Sequence, residues 1–86
     1  MRKIKKVVMY TLSTCPWCRK TKQFFKERNI PFEYVDYDLA SEEEQERIRE
    51  EMLKYGGSTA FPFVKVGEEV IIGYKPERYA ELLKLI

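Results

Sequence analysis

The chain has 86 residues, a formal net charge of +2, no histidine and two cysteines. That length holds one small domain, residues 1–86, and so slight a positive charge argues against a nucleic-acid partner. Without imidazole there is no Cys-His or Ser-His-Asp catalysis, and two sulfurs fall short of the four ligands of a structural zinc site, so no metal is expected within one protomer.

Read in chain order, no apolar stretch approaches the roughly 18 residues of a membrane span. The basic start, Met1 to Lys6, leads into a short β-like run instead of a signal-peptide core. A cytoplasmic protein with no membrane partner is therefore expected. Lys5 to Thr11 reads as a strand, and its unbroken Val7-Val8-Met9-Tyr10 suits a central position buried on both faces. Pro16 to about Asn29 reads as a helix with Cys18, Thr21, Phe24, Phe25 and Arg28 along one side, stopped by Ile30-Pro31. Phe32 to Tyr37 returns as a second strand, and a strand-helix-strand unit of this length makes a right-handed crossover with parallel strands.

Ser41 followed by Glu44 is a capping-box pattern, and Ile48, Met52 and Tyr55 form the inward stripe of a second helix that Gly56-Gly57 ends. Pro62 to Val66 and Val70 to Gly73 are short β runs around Gly67-Glu68-Glu69, a hairpin signal. A last helix begins near Pro76, with Tyr79, Leu82, Leu83 and Ile86 on one buried face. The order is β-α-β-α-β-β-α, an α/β chain.

Both cysteines lie in Cys15-Pro16-Trp17-Cys18, between the first strand and the first helix. Two cysteines three apart in a first helical turn share a face, with α-carbons roughly 5–6 Å apart, within the range a disulfide tolerates. As a staple so short a bridge is poor: a four-residue loop is worth only about 2 kcal/mol. A reversible, redox-active Cys15–Cys18 disulfide fits better, with no bound cofactor. Pro16 suits the first helical position, which places Cys15 at the N-cap and Cys18 within the first turn. Cys15 then faces the positive end of the helix dipole, an environment that lowers thiol pKa values, and is assigned as the attacking thiolate. Cys18, better shielded, is the resolving thiol. Arg19, Lys20 and Lys22 add positive charge near the pair, and Trp17 is expected as a partly exposed rim contact. The rival reading is a non-catalytic carrier holding an iron-sulfur cluster between two chains.

With Met9-Tyr10-Thr11 before Cys-Pro-Trp-Cys, Phe61-Pro62 opening the third strand and Gly73-Tyr74-Lys75-Pro76 before the last helix, the chain resembles the glutaredoxin family and its NrdH-redoxin relatives. The resemblance implies a thioredoxin fold, a four-stranded mixed sheet flanked by three helices, with a cis Phe61-Pro62 bond beside the sulfurs. It also implies an oxidoreductase for protein or small disulfides, serving cytoplasmic redox homeostasis and electron transport as a monomer. Partner strands are expected to dock on Trp17, Ala60, Phe61, Pro62, Gly73 and Tyr74. Two departures bear on the reductant. Leu12-Ser13-Thr14 stands where glutathione-using members commonly carry a basic residue, and Gly73-Tyr74-Lys75-Pro76-Glu77 is closer to the NrdH-redoxin pattern than to a Gly-Gly-x-Asp segment. Either glutathione or thioredoxin reductase is implied as the electron source, the latter with ribonucleotide reductase as client.

Overall fold

The structure, a computed structural model, describes residues 6–83. Its elements run β1 (Val7–Thr11), α1 (Pro16–Glu27), β2 (Glu33–Asp36), a 3-10 turn (Tyr37–Leu39), α2 (Glu42–Gly56), β3 (Phe63–Val66), β4 (Glu69–Ile72) and α3 (Pro76–Leu83). The strands form one sheet in the order β2-β1-β3-β4. β1 and β2 are parallel, the pairing that the α1 crossover requires, while β1–β3 and β3–β4 are antiparallel.

The sheet divides the apolar residues by parity. Val7 and Met9 of β1, Val64 and Val66 of β3 and Ile71 of β4 point to one face, where Phe24 and Phe25 of α1 and Tyr79 of α3 cover them. On the other face Ile48 and Met52 of α2 pack on Phe63, with Tyr10, Val35 and Ile72 alongside. Each large side chain fully withdrawn from water contributes roughly 1.5–3 kcal/mol. Tyr10, Val35, Phe63 and Ile72 are neighbours in register, so they form one row across all four strands. The Tyr10 hydroxyl donates to Glu51, which also accepts from Lys65 Nζ at 2.9 Å, and this polar bracket ties α2 to β1 and β3. Among the described residues no helix is long and apolar enough to cross a membrane.

Several element ends differ from expectation for identifiable reasons. α1 stops at Glu27, two residues early, because Asn29 adopts a left-handed φ of 56°. The Ile30 N–H then reaches Phe25 O at 2.9 Å and the Asn29 N–H reaches Lys26 O at 3.1 Å, a Schellman closure that ends the helix before Pro31 can. Arg28 is exposed, not part of the buried side, and its guanidinium lies over the Phe24 ring and donates to Phe24 O at 3.1 Å. β2 begins at Glu33, one residue later than expected, and gives way at Tyr37, expected as its last residue, to the 3-10 turn. β3 begins at Phe63, one residue late, and β4 spans Glu69–Ile72 because the Val66–Glu69 pair leaves only Gly67-Glu68 as the loop. β1 is fully buried on the α1/α3 side only, since Val8 and Tyr10 on its opposite face are half-buried. Lys5 and Ile86 lie outside the described residues.

Tyr55 was expected to point inward, yet it is 56% exposed. Gly56 takes the inward place, and its backbone approaches the sheet so closely that an added Cβ would stand 2.5 Å from Phe63 Cε2. The Phe63 ring is fully buried and cannot swing aside. Gly56→Ala is therefore expected to destabilise the protein by about 1–3 kcal/mol, read as a lower urea midpoint at unchanged m value. An unchanged midpoint would show that α2 has room to shift.

Candidate active site

The β1–α1 connection creates the site. The Cys15 N–H bonds back to Leu12 O at 3.1 Å, closing a tight turn that delivers Cys15 to the helix start. Cys15 is the N-cap of α1, in extended conformation with φ −85° and ψ 118°, and Pro16 follows at the first helical position. The Cys15 sulfur accepts the Cys18 N–H at 3.3 Å, filling the place that a Ser or Asp oxygen takes in most caps. α2 shows that ordinary form, with Ser41 Oγ accepting the Glu44 N–H at 3.2 Å and three glutamates in its first turn. The first turn of α1 carries no acidic residue, so its positive end faces sulfur alone.

The two sulfurs occupy different environments. Cys15 is partly accessible, whereas Cys18 is fully buried against the α1 side of the core. Both are free thiols. Burial first, and then the hydrogen bond with Cys15, push the Cys18 thiol up to about 12. The Leu12 N–H, 3.5 Å from the Cys18 sulfur, and the charge of Lys22 act in the opposite direction. Cys18 therefore remains protonated at neutral pH.

Trp17, between the two cysteines in the chain, lines a shallow cleft of about 240 Å³ together with Phe61, Pro62, Gly73 and Tyr74. Trp17 is 55% exposed, and its ring lies tilted against that of Tyr74 at 5.8 Å between centroids. The Phe61-Pro62 bond is cis. Of the six residues expected to contact a partner, five share this cleft, while Ala60 is exposed outside its lining. The 60–62 backbone is partly engaged within the protein, since the Ala60 N–H donates to Ser58 Oγ at 3.2 Å and Pro62 O accepts the Gly73 N–H at 2.8 Å. Gly73 has a φ of 94°, which a side chain would strain. Its carbonyl accepts from the Tyr79 hydroxyl at 2.5 Å, so a fully buried residue of α3 supports the cleft floor.

A polar network behind the cysteines was not visible in the sequence. Asp36, at the end of β2, accepts from Thr11 Oγ1 at 2.6 Å and from Lys22 Nζ at 3.1 Å. Asp38, in the 3-10 turn, accepts from the Ser13 N–H at 2.9 Å and from the Ser13 hydroxyl. The Ser13 hydroxyl and then its N–H hold the Asp38 carboxyl below the usual range, so a fixed negative charge sits two residues before Cys15. The only sequence signal for these contacts is that Asp36 and Asp38 follow a parallel strand beside β1, which places them near the sheet end that carries Cys15.

A helix start bearing an accessible and a buried thiol, a cis proline loop alongside, and a mixed sheet between helices define a thioredoxin-fold redox protein. Residues 7–71 match the Glutaredoxin family model, and the chain belongs to the glutaredoxin family. It is 35% identical over 80 residues to an uncharacterized glutaredoxin-like 8.6 kDa protein of the rubredoxin operon of Clostridium pasteurianum, covering 93% of this chain and 96% of that one. The structure is similar to methanoredoxin of Methanosarcina acetivorans, at 39% identity and a TM-score of 0.86 over 92% of this chain and 84% of that chain. It is also similar to NrdH-redoxin of Escherichia coli, at 26% identity and a TM-score of 0.71 over 90% and 93% of the two chains.

Tyr79→Phe removes the hydroxyl that holds Gly73 O and leaves a carbonyl without that donor beneath the cleft. A loss of about 1–3 kcal/mol in unfolding free energy is expected from denaturant titration. A variant as stable as the parent would show that the Gly73 carbonyl finds another donor.

Proposed function

We propose that the protein is a thiol-disulfide oxidoreductase acting by a dithiol mechanism, with Cys15 as nucleophile and Cys18 as resolving thiol. The unequal placement of the two sulfurs carries this reading. Cys15 is the accessible sulfur, held in line at the helix start. As thiolate it attacks one sulfur of a substrate disulfide, forming a Cys15 mixed disulfide and releasing the other sulfur as a thiolate that takes a proton from solvent. Cys18 then gives up its proton and attacks Cys15, closing the Cys15–Cys18 bridge, and the departing substrate sulfur takes up a proton. The substrate is reduced by two electrons and the protein is oxidised. A reductant from the surrounding solution reopens the bridge.

The cleft of Trp17, Phe61, Pro62, Gly73 and Tyr74 is where an extended partner segment or a small thiol would lie, on aromatic surface that includes the Trp17 ring two residues from Cys15. Its supposed clients are disulfide-bearing proteins, met by a monomer in the cytoplasm. For the reductant, the Ser13–Asp38 pair favours a thioredoxin-reductase type of partner over glutathione. A thiol carrying carboxylates would meet a fixed anion on the side where a basic residue would have helped it. NrdH-redoxin of Escherichia coli, a glutaredoxin-like protein with a thioredoxin-like activity profile, is the corresponding precedent among the similar structures.

Cys15→Ser is expected to abolish reduction of a simple protein disulfide such as that of insulin, and Cys18→Ser to accumulate a mixed disulfide visible by mass spectrometry. With the parent protein, turnover should be faster with thioredoxin reductase and NADPH than with glutathione, glutathione reductase and NADPH. Full activity of the Cys15 variant would refute the assignment of roles, and a clear preference for glutathione would refute the choice of reductant. Colour and bound iron after anaerobic preparation would favour the iron-sulfur carrier instead.

A further inference from the structure

The dithiol reading leaves the second step with a difficulty. Cys18 must act as a nucleophile, yet burial holds its proton strongly, and the chain has no imidazole to serve as a base. What lies around Cys18 is therefore decisive. Of the four cations that follow it in α1, Arg19, Lys20 and Lys26 are exposed, and the Lys20 ammonium rests 4.9 Å from the centre of the Trp17 ring. Lys22 is different. It stands four residues after Cys18, one helical turn along the same face, where side chains are neighbours. Its ammonium is held in place by Asp36 at 3.1 Å and by the face of Tyr34, with the centroid at 3.9 Å. The side chains of Lys22 and Asp36 retain only 21% and 16% of their exposure.

The anchor is itself anchored to the cysteine loop. Asp36 accepts from Thr11 Oγ1, and the next residue, Leu12, directs its N–H at the Cys18 sulfur. Three groups of positive or donor character thus surround the buried sulfur: the Leu12 amide that bonds it, the α1 amide dipoles, and Lys22 one turn on along the same helix face. Against them stand the Cys15 sulfur, the uncharged Tyr79 phenol from α3, and the carboxylates of Asp36 and, further off, Asp38, which act on Lys22 directly.

We propose that Lys22, anchored by Asp36 and Tyr34, is a positioning residue for the resolution step, its ammonium stabilising negative charge as it builds on the Cys18 sulfur. This rests on the dithiol reading above. In that step the S–H bond of Cys18 and the bond from Cys15 to the substrate sulfur break, the Cys15–Cys18 bond forms, and the proton passes to the departing substrate sulfur or, where that sulfur leaves as a stable thiolate, to solvent. Lys22 neither gains nor loses a proton. In a weakly polar setting a nearby fixed cation lowers the energy of a thiolate, and the same cation one turn further from Cys15 has less effect on the first attack.

The test uses 5,5′-dithiobis(2-nitrobenzoate), which releases one coloured thiolate when Cys15 attacks and a second when Cys18 resolves, so stopped-flow absorbance reads both steps in one trace. Removing the charge lowers the thiolate fraction of Cys18 but raises its intrinsic nucleophilicity, and the two effects partly offset one another. Lys22→Gln and Lys22→Met, which keeps the aliphatic stem, should each lower the ratio of second-phase to first-phase rate about three- to tenfold. Lys22→Arg should stay within about twofold of the parent, since it keeps the charge. An unchanged ratio in the charge-free variants, or equal slowing by Arg and Met, would overturn the proposal. Cys18→Ser separates this outcome from failure of the dithiol reading: it must release only the first equivalent, and release of both would sink that reading and leave Lys22 without a step to assist.

Discussion

The hydrogen bond from the Cys18 N–H to the Cys15 sulfur is the contact on which the site depends. It makes a cysteine the N-cap of α1 and thereby settles three things together. The leading sulfur is held at the positive end of a helix, its partner one turn on must face inward, and Pro16 between them fixes the geometry without needing a donor of its own. The unequal environments of two identical side chains follow from their positions on one helix.

The rest of the fold keeps that helix start in place. α1 is fastened by Phe24 and Phe25, which pack with Tyr79 in a cluster of rings 5.1–5.4 Å apart across the sheet face. The same Tyr79 supports Gly73, whose N–H holds the carbonyl of the cis proline. Core packing, cleft floor and cysteine placement are therefore coupled through one buried phenol. From the other side, the segment 36–38 grips the β1–α1 turn through Thr11 and Ser13, so the loop that carries Cys15 is braced by side-chain bonds as well as by its own backbone.

Much of this was legible in the chain itself because it is local. The Cys-Pro-Trp-Cys spacing, the apolar run from Val7 to Tyr10 and the Ser41 cap each depend on residues a few positions apart, and the structure shows the helix starts and the strand they imply. What escaped was set by distant partners. Asp38 meets Ser13 across 25 positions and Asp36 meets Lys22 across 14, and no periodicity marks such pairs. Tyr55 was misplaced for a related reason: the helical stripe through Ile48 and Met52 continues to Gly56, because α2 lies too close to Phe63 for any side chain there.

The central claim is that geometry alone makes one sulfur reactive and the other reserved. Rate-resolved alkylation with iodoacetamide, followed by peptide mass spectrometry on the reduced native protein across a pH series, reads this most directly. The account predicts that Cys15 is labelled first at neutral pH, and that Cys18 reacts only after unfolding or as the pH nears its own value of about 12. Equal labelling of the two cysteines in the folded protein near pH 7 would contradict it.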